Sequence, residues 1–178
     1  MPPSVQSIAA GKNVFSDLQE ADLGDVMAES LASEISLVED EALNRHLQDI
    51  GDRLIRYLPP NKFRFRFALI ELHQANAFSL VGGRIYVSRK MVVLTQNDDE
   101  LAGVLGHEMG HIVTHQQAIR TTRLFRDVLG VTQVGDRADM SRTRFRSLPW
   151  RVPDSLLTPM WICGTGFSKR TEDRELVL

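Results

Sequence analysis

Residues 107–111 read His-Glu-Met-Gly-His, two histidines four positions apart with a glutamate beside the first. On an α-helix, positions i and i+4 lie one above the other on the same face, so His107 and His111 can turn two imidazoles toward one metal ion. Glu108 then stands where a carboxylate can take a proton from a water that the ion activates. Imidazole nitrogens suit Zn²⁺, and a zinc site with an adjacent general base is equipped to hydrolyse peptide bonds. The pentapeptide fixes only three letters, and two unrelated histidines on an amphipathic helix would spell the same string, so the flanking residues must decide.

Those flanks describe a helix that is capped and half buried. Asn97 followed by Glu100 has the form of a capping box, and Asp98, Asp99 and Glu100 set negative charge at the positive end of the helix dipole. Leu101, Val104, Leu105 and Ile112 recur at helical spacing, which predicts a metal helix over about 98–118 with one face inside. Gly103, Gly106 and Gly110 each weaken that helix by about 1 kcal/mol relative to alanine. Their presence predicts close approach of a neighbouring element, such as a strand.

Upstream, a helix is predicted over 14–35 with Leu18, Leu23, Val26, Met27 and Leu31 as its inner positions. Leu43, Leu47, Ile50, Leu54 and Leu58 define a second helix, stopped by Pro59-Pro60. The period then changes. Phe63-Arg64-Phe65-Arg66-Phe67 alternates as a half-buried strand that runs on through Leu72. Gly82-Gly83 marks a turn into a further strand, Arg84-Ile85-Tyr86-Val87, and a short helix over about 89–95 leads to the metal helix. Leu124, Phe125, Val128 and Leu129 predict more helix, broken near Gly130. The resulting fold class is α+β, with N-terminal helices, a small antiparallel sheet and the metal helix packed on it. Residues 1–13 form a flexible start, 14–140 a core domain, and 141–178 a C-terminal segment without clean periodicity.

A catalytic zinc takes three protein ligands and leaves one position for water. The H-E-x-x-H-x-x-G-x-x-H arrangement is excluded, because Thr114 and Gln117 occupy its glycine and third-histidine positions. If the third ligand is a downstream glutamate, the candidates are Glu172 and Glu175, since no other glutamate follows Glu108. His115 lies one turn past His111. Three histidines at i, i+4 and i+8 run in a line that a tetrahedral ion does not fit, so His115 reads as a packing or supporting residue. His46 and His73 read as surface residues.

Taken together, these pieces resemble the gluzincin peptidase family that includes HtpX, BepA and the CAAX prenyl endopeptidases, over roughly residues 24–118. One is Asn76-Ala77-Phe78-Ser79-Leu80-Val81-Gly82-Gly83-Arg84-Ile85-Tyr86-Val87, similar to the family's N-A-F-x-x-P-G-G-x-I-x-V, with Val81 at the proline. The other is the acidic helix start running into Leu101-Ala102-Gly103-Val104-Leu105-Gly106-His107-Glu108-Met109-Gly110-His111. The resemblance implies a zincin-like, minimal gluzincin fold and a zinc metalloendopeptidase with one Zn²⁺ per chain, acting on polypeptide in protein quality control. Asn76, Ala77 and Phe78 would then edge the substrate cleft, where an extended peptide adds to the strand by main-chain pairing. It also places Glu172 at the third-ligand position, because Ser168-Lys169-Arg170-Thr171-Glu172 matches the start of the family's S-R-x-x-E-x-E-A-D helix. The rest of that helix departs, with Glu175 and Leu176 where Ala and Asp are expected. This departure keeps an alternative open: a catalytically incomplete protease fragment, or a chaperone-like binder of extended polypeptide.

The bulk properties exclude other classes. A net charge of −2 over 178 residues makes no electrostatic case for nucleic acid. Cys163 is the single cysteine, which rules out an intrachain disulfide framework. No apolar run is long enough to span a membrane, and the first residues lack a basic and an apolar region of a signal peptide, so the expectation for a complete chain is cytoplasmic. Relatives in the resembled family are often periplasmic or membrane-associated. Nothing in the pattern sets an oligomeric state.

Overall fold

A computed structural model describes residues 13–129 together with Gly135. Helix α1 (Asp17–Leu31) starts at a capping box: the Ser16 hydroxyl accepts from the Gln19 amide, and the Gln19 side chain accepts from the Ser16 amide. A two-residue strand β1 (Ser36–Leu37) follows, then α2 (Glu41–Ile55), capped by Asp40. Next come β2 (Arg66–Glu71), β3 (Ala77–Leu80), β4 (Arg84–Ser88), a short α3 (Arg89–Leu94), α4 (Asp98–Val113) and α5 (Gln116–Leu129). The α+β class is as expected, and no helix among the described residues is long and apolar enough to cross a membrane.

The four strands form one sheet in the order β1-β2-β4-β3. The sheet is mixed rather than antiparallel. β1 and β3 run antiparallel to their neighbours, but β2 and β4 pair in parallel, Phe67 opposite Ile85 and Leu69 opposite Val87. The cause lies in the β3–β4 hairpin, which folds so that its second strand, not its first, docks on β2. β3 is thereby pushed to the edge. The strand expected from Phe63 onward starts only at Arg66, although Phe65 and Phe67 are buried as the alternation requires.

One face of this sheet and two helices make the core. Leu47 and Ile50 of α2, Leu101, Leu105, Met109 and Ile112 of α4, and Phe67, Leu69, Ile85, Val87 and Ala77 of the sheet form a single buried cluster with Val38 and Phe65. In α1 the inner position is Leu23, fully buried, whereas Leu18 is 77 % exposed, so α1 is rotated away from the expected face. The first predicted helix also ends early, at Leu31, because residues 36–37 leave to pair with β2.

Glycines do allow close approach here, but at other positions than expected. A Cβ on Gly24 of α1 would fall on the carbonyl oxygen of Val81, at the β3–β4 turn, where Gly82 and Gly83 take φ values of 81° and 109°. Gly103, Gly106 and Gly110 would meet nothing within 4 Å among the described residues.

The metal helix is shorter than predicted. α4 ends at Val113; Thr114 caps it, and His115 adopts a left-handed φ of 55° before the chain restarts as α5. The Asn97 cap holds as expected, its Oδ1 accepting from the Glu100 amide at 3.0 Å, while the Glu100 carboxylate reaches back to the Gln96 amide at 2.9 Å.

Two glycine substitutions should therefore move stability in opposite directions. Gly103→Ala, on an open helix face, is expected to stabilise by about 0.5–1 kcal/mol. Gly24→Ala forces backbone apart at the hairpin and should cost about 2 kcal/mol or more. Urea unfolding midpoints of the two variants decide; a stabilised Gly24→Ala would contradict the packing of α1 on the turn.

Candidate metal centre

His107 and His111 lie at the border of the buried face of α4, both partly exposed, with ring centroids 4.6 Å apart and planes at 81°. Their Nε2 atoms are 3.1 Å apart. Two nitrogens each about 2.0–2.1 Å from a tetrahedral ion would sit ~3.3 Å from one another, so the pair has the span of two ligands to one metal. Together with Glu108 they bring one ligand-type atom each to within 4.8 Å of the others. The donor set fits a divalent ion.

Glu108 turns inward. It is 8 % exposed, and its Oε2 accepts a hydrogen bond of 2.9 Å from the Ser79 hydroxyl on β3. The register explains why Ser79 is there. Ala77 pairs with Val87 and Ser79 with Ile85, so residues 77 and 79 share the face that packs under α4. Burial pushes the Glu108 carboxyl up to about 7, against the pull of the Ser79 hydroxyl and backbone. Burial likewise holds the His111 imidazole below its ordinary value, helped by the charges of His107 and Arg120 and opposed by a hydrogen bond to Gln116. A neutral imidazole is the form that binds metal.

The residues expected to edge the cleft lie along β3. This strand pairs with β4 on one side, and among the described residues no strand pairs with its other side. Asn76 is half-buried, its amide donating to Ser88 Oγ and its carbonyl accepting from the Ser88 amide, each at 2.8 Å. Ala77 and Phe78 are buried, and the Phe78 ring stacks on Tyr86 with centroids 5.2 Å apart. The Phe78 side chain is thus engaged in packing. Glu172 and Glu175 lie outside the described residues, as do the segments 1–12 and 141–178.

Three residues near the site were not anticipated from sequence. Ser79 was present in the quoted hairpin, and the strand alternation from Ala77 would have put it under α4. Gln116, whose Oε1 lies 2.7 Å from His111 Nδ1, carries no sequence signal. Neither does Glu20 of α1, whose Oε1 lies 2.6 Å from His115 Nδ1. His115 is a supporting residue, turned to Glu20 and packed edge-on to Phe63 with ring centroids 5.4 Å apart. With Asp17, Glu20 and His115 form a second group of ligand-type atoms, but the Glu20 carboxylate already accepts from Asn13 and contacts His115. His46 is on the surface, paired with Asp98 at 2.8 Å, and His73 is exposed.

The Glu20 side chain is 2 % exposed. Burial raises its carboxyl above the usual range, while the hydrogen bond and charge of His115 and the Asn13 amide pull it back. Glu20→Leu would strip Asn13 and His115 of a shared acceptor and is expected to cost about 1–3 kcal/mol. Glu20→Gln, whose carbonyl oxygen still accepts, should lose less. Denaturant melts that show no loss for the leucine variant would remove this contact from the scaffold.

Comparison with known proteins places the chain in a family. The model for "Peptidase family M48" matches residues 41–174, well over half of the chain. The beta-barrel assembly-enhancing protease of Yersinia pestis is 30 % identical over 110 residues, covering 62 % of this chain and 22 % of that protein. The protein of the same name from Escherichia coli K12 is 29 % identical over 100 residues, 56 % of this chain and 20 % of its own length. A putative beta-barrel assembly-enhancing protease of Vibrio cholerae is 28 % identical over 116 residues, 65 % of this chain and 24 % of its own. The matched stretch thus spans about a fifth to a quarter of these relatives. With the H-E-x-x-H residues converging on α4 and a family match running through them, the chain belongs to peptidase family M48, a family of metallopeptidases that use a divalent metal.

Proposed function

We propose that this chain is a zinc-dependent endopeptidase domain of gluzincin type, with a zincin-like core over residues 14–140. The observation that carries this reading is the convergence of the His107 and His111 Nε2 atoms, 3.1 Å apart, beside the buried carboxylate of Glu108. His107 and His111 would hold one Zn²⁺, and Glu172 would be the third ligand, on the family's pattern. When bound, zinc supplies Lewis-acid polarisation of the scissile carbonyl and lowers the pKa of water.

The chain's own residues do the rest. Glu108 takes the proton of the attacking water and hands it to the leaving amine. The Ser79 hydroxyl, donating to Oε2, would hold the carboxylate in one orientation. β3, at the edge of the sheet, would bind the substrate main chain as an added strand through Ala77, whose main-chain groups alternate away from β4. Asn76 and Phe78 would flank it, the amide and carbonyl of Asn76 being engaged with Ser88. Phe78, stacked on Tyr86 and paired with it across the β3–β4 ladder, would hold the strand in place. By their name, the relatives enhance β-barrel assembly; a role in polypeptide quality control is the matching proposal for this chain.

Metal content and turnover, measured on purified wild type, Glu108→Gln and Glu172→Ala, test this reading. Wild type is expected to hold about one zinc and to cleave an unfolded polypeptide. Glu108→Gln should keep the zinc and lose at least 10²-fold in rate, and Glu172→Ala should lose the zinc. Undiminished cleavage by Glu108→Gln would sink the assignment of the base. Peptide binding with no zinc and no cleavage in wild type would favour the alternative, a binder of extended polypeptide built on the same fold.

A further inference from the structure

Residue Gln116 opens α5 directly after the left-handed turn, and its Oε1 lies 2.7 Å from Nδ1 of His111. An amide oxygen only accepts, so this is a hydrogen bond from Nδ1–H. It puts the ring proton on Nδ1 and the lone pair on Nε2, the atom that faces His107. Helical backbone alone does not achieve this. The outer torsion of a histidine is broad and roughly two-fold, so a helix position leaves both the ring flip and the tautomer undecided.

Nor would a continuous helix deliver Gln116. Five residues beyond His111, it would stand ~140° round the axis at about 100° per residue. The left-handed φ of 55° at His115 breaks that path and folds the chain back. Side chains with a Cβ avoid this conformation unless something holds them in it. Here the hold comes from α1: Glu20 Oε1 lies 2.6 Å from His115 Nδ1 and also accepts from Asn13 Nδ2 at 2.6 Å, in a side chain almost wholly inside. Phe63 closes on the imidazole from another direction.

We propose that Gln116 is a positioning residue for His111, selecting the tautomer and ring orientation that present Nε2 to a metal, and that the Glu20–His115 contact is what sets Gln116 there. The inference rests on the reading of His111 as a ligand and adds to it the residues that orient that ligand. Partners of this kind typically change metal affinity by 10–100-fold when removed.

The test uses the full chain. In metal-free protein, ring ¹⁵N NMR should find His111 protonated at Nδ1 in wild type and a mixture of tautomers in Gln116→Leu. Competition with a chromophoric chelator should find zinc held about 10–100-fold more weakly by Gln116→Leu, and close to wild-type affinity in Gln116→Glu, which keeps the acceptor. Glu20→Leu should weaken zinc as well, and the double variant no more than the stronger single one, because both act through one contact. An unchanged unfolding midpoint of metal-free Gln116→Leu separates orientation from folding. Unaltered affinity and tautomer in Gln116→Leu, with zinc lost in His107→Ala, would overturn this inference and leave the ligand reading intact. Wild type that binds no zinc would end the ligand reading, and an Nε2-protonated His111 in that same protein would end this one too.

Discussion

Everything at the candidate centre depends on the rotation of α4 about its own axis. Residues 107 and 108 are adjacent, so their side chains leave the helix about 100° apart. For His107 to face the open side while Glu108 is enclosed, the boundary between core and solvent must pass between them. Leu101, Leu105, Met109 and Ile112 set that boundary, since all four are buried in the same cluster as the sheet. A rotation of one position would expose Glu108 to water and carry His107 into apolar packing. Hydrophobic burial, which has no chemistry of its own, thus decides which side chain becomes the candidate base and which become candidate ligands.

The sheet supports this from below. Because β4 docks on β2 in parallel, β3 is left at the edge and alongside α4, with Ser79 beneath the helix. The hairpin that puts it there is held at its turn by two left-handed glycines and by α1, which comes so close at Gly24 that no side chain fits. One helix therefore holds both ends of the arrangement: at Gly24 it braces the strand, and at Glu20 it braces the turn after the metal helix.

Much of this was legible in the chain before any coordinates. The α2 stripe of Leu47 and Ile50, the α4 stripe, the Asn97 cap and the Gly82-Gly83 turn are local patterns, and local patterns carry period and punctuation. What failed was not local. Alternation in Phe63–Phe67 marks one face of a strand but not the direction of its partner, so the parallel pairing of β2 with β4 was invisible. No glycine or proline marks the place where α4 ends, between Val113 and Gln116; the left-handed His115 breaks the helix there, with its partner Glu20 in another helix. Gly103, Gly106 and Gly110 suggested tight packing, and the described residues offer none. At the site, two imidazoles on one helix face followed from spacing alone, whereas Ser79 and Gln116 needed the third dimension. Glu172 rests on the family's pattern, in a segment outside the described residues.

The Glu20–His115 contact joins residues 95 positions apart, and the family match begins only at residue 41. The matched block is therefore not the whole of what braces the site. On the proposed reading, position 20 supplies the acceptor that holds position 115 left-handed, so substitutions at the two should arise in pairs among related chains. A domain cut for transplantation at the matched boundary would carry both imidazoles of the motif and leave behind the residue that steadies the turn beside them.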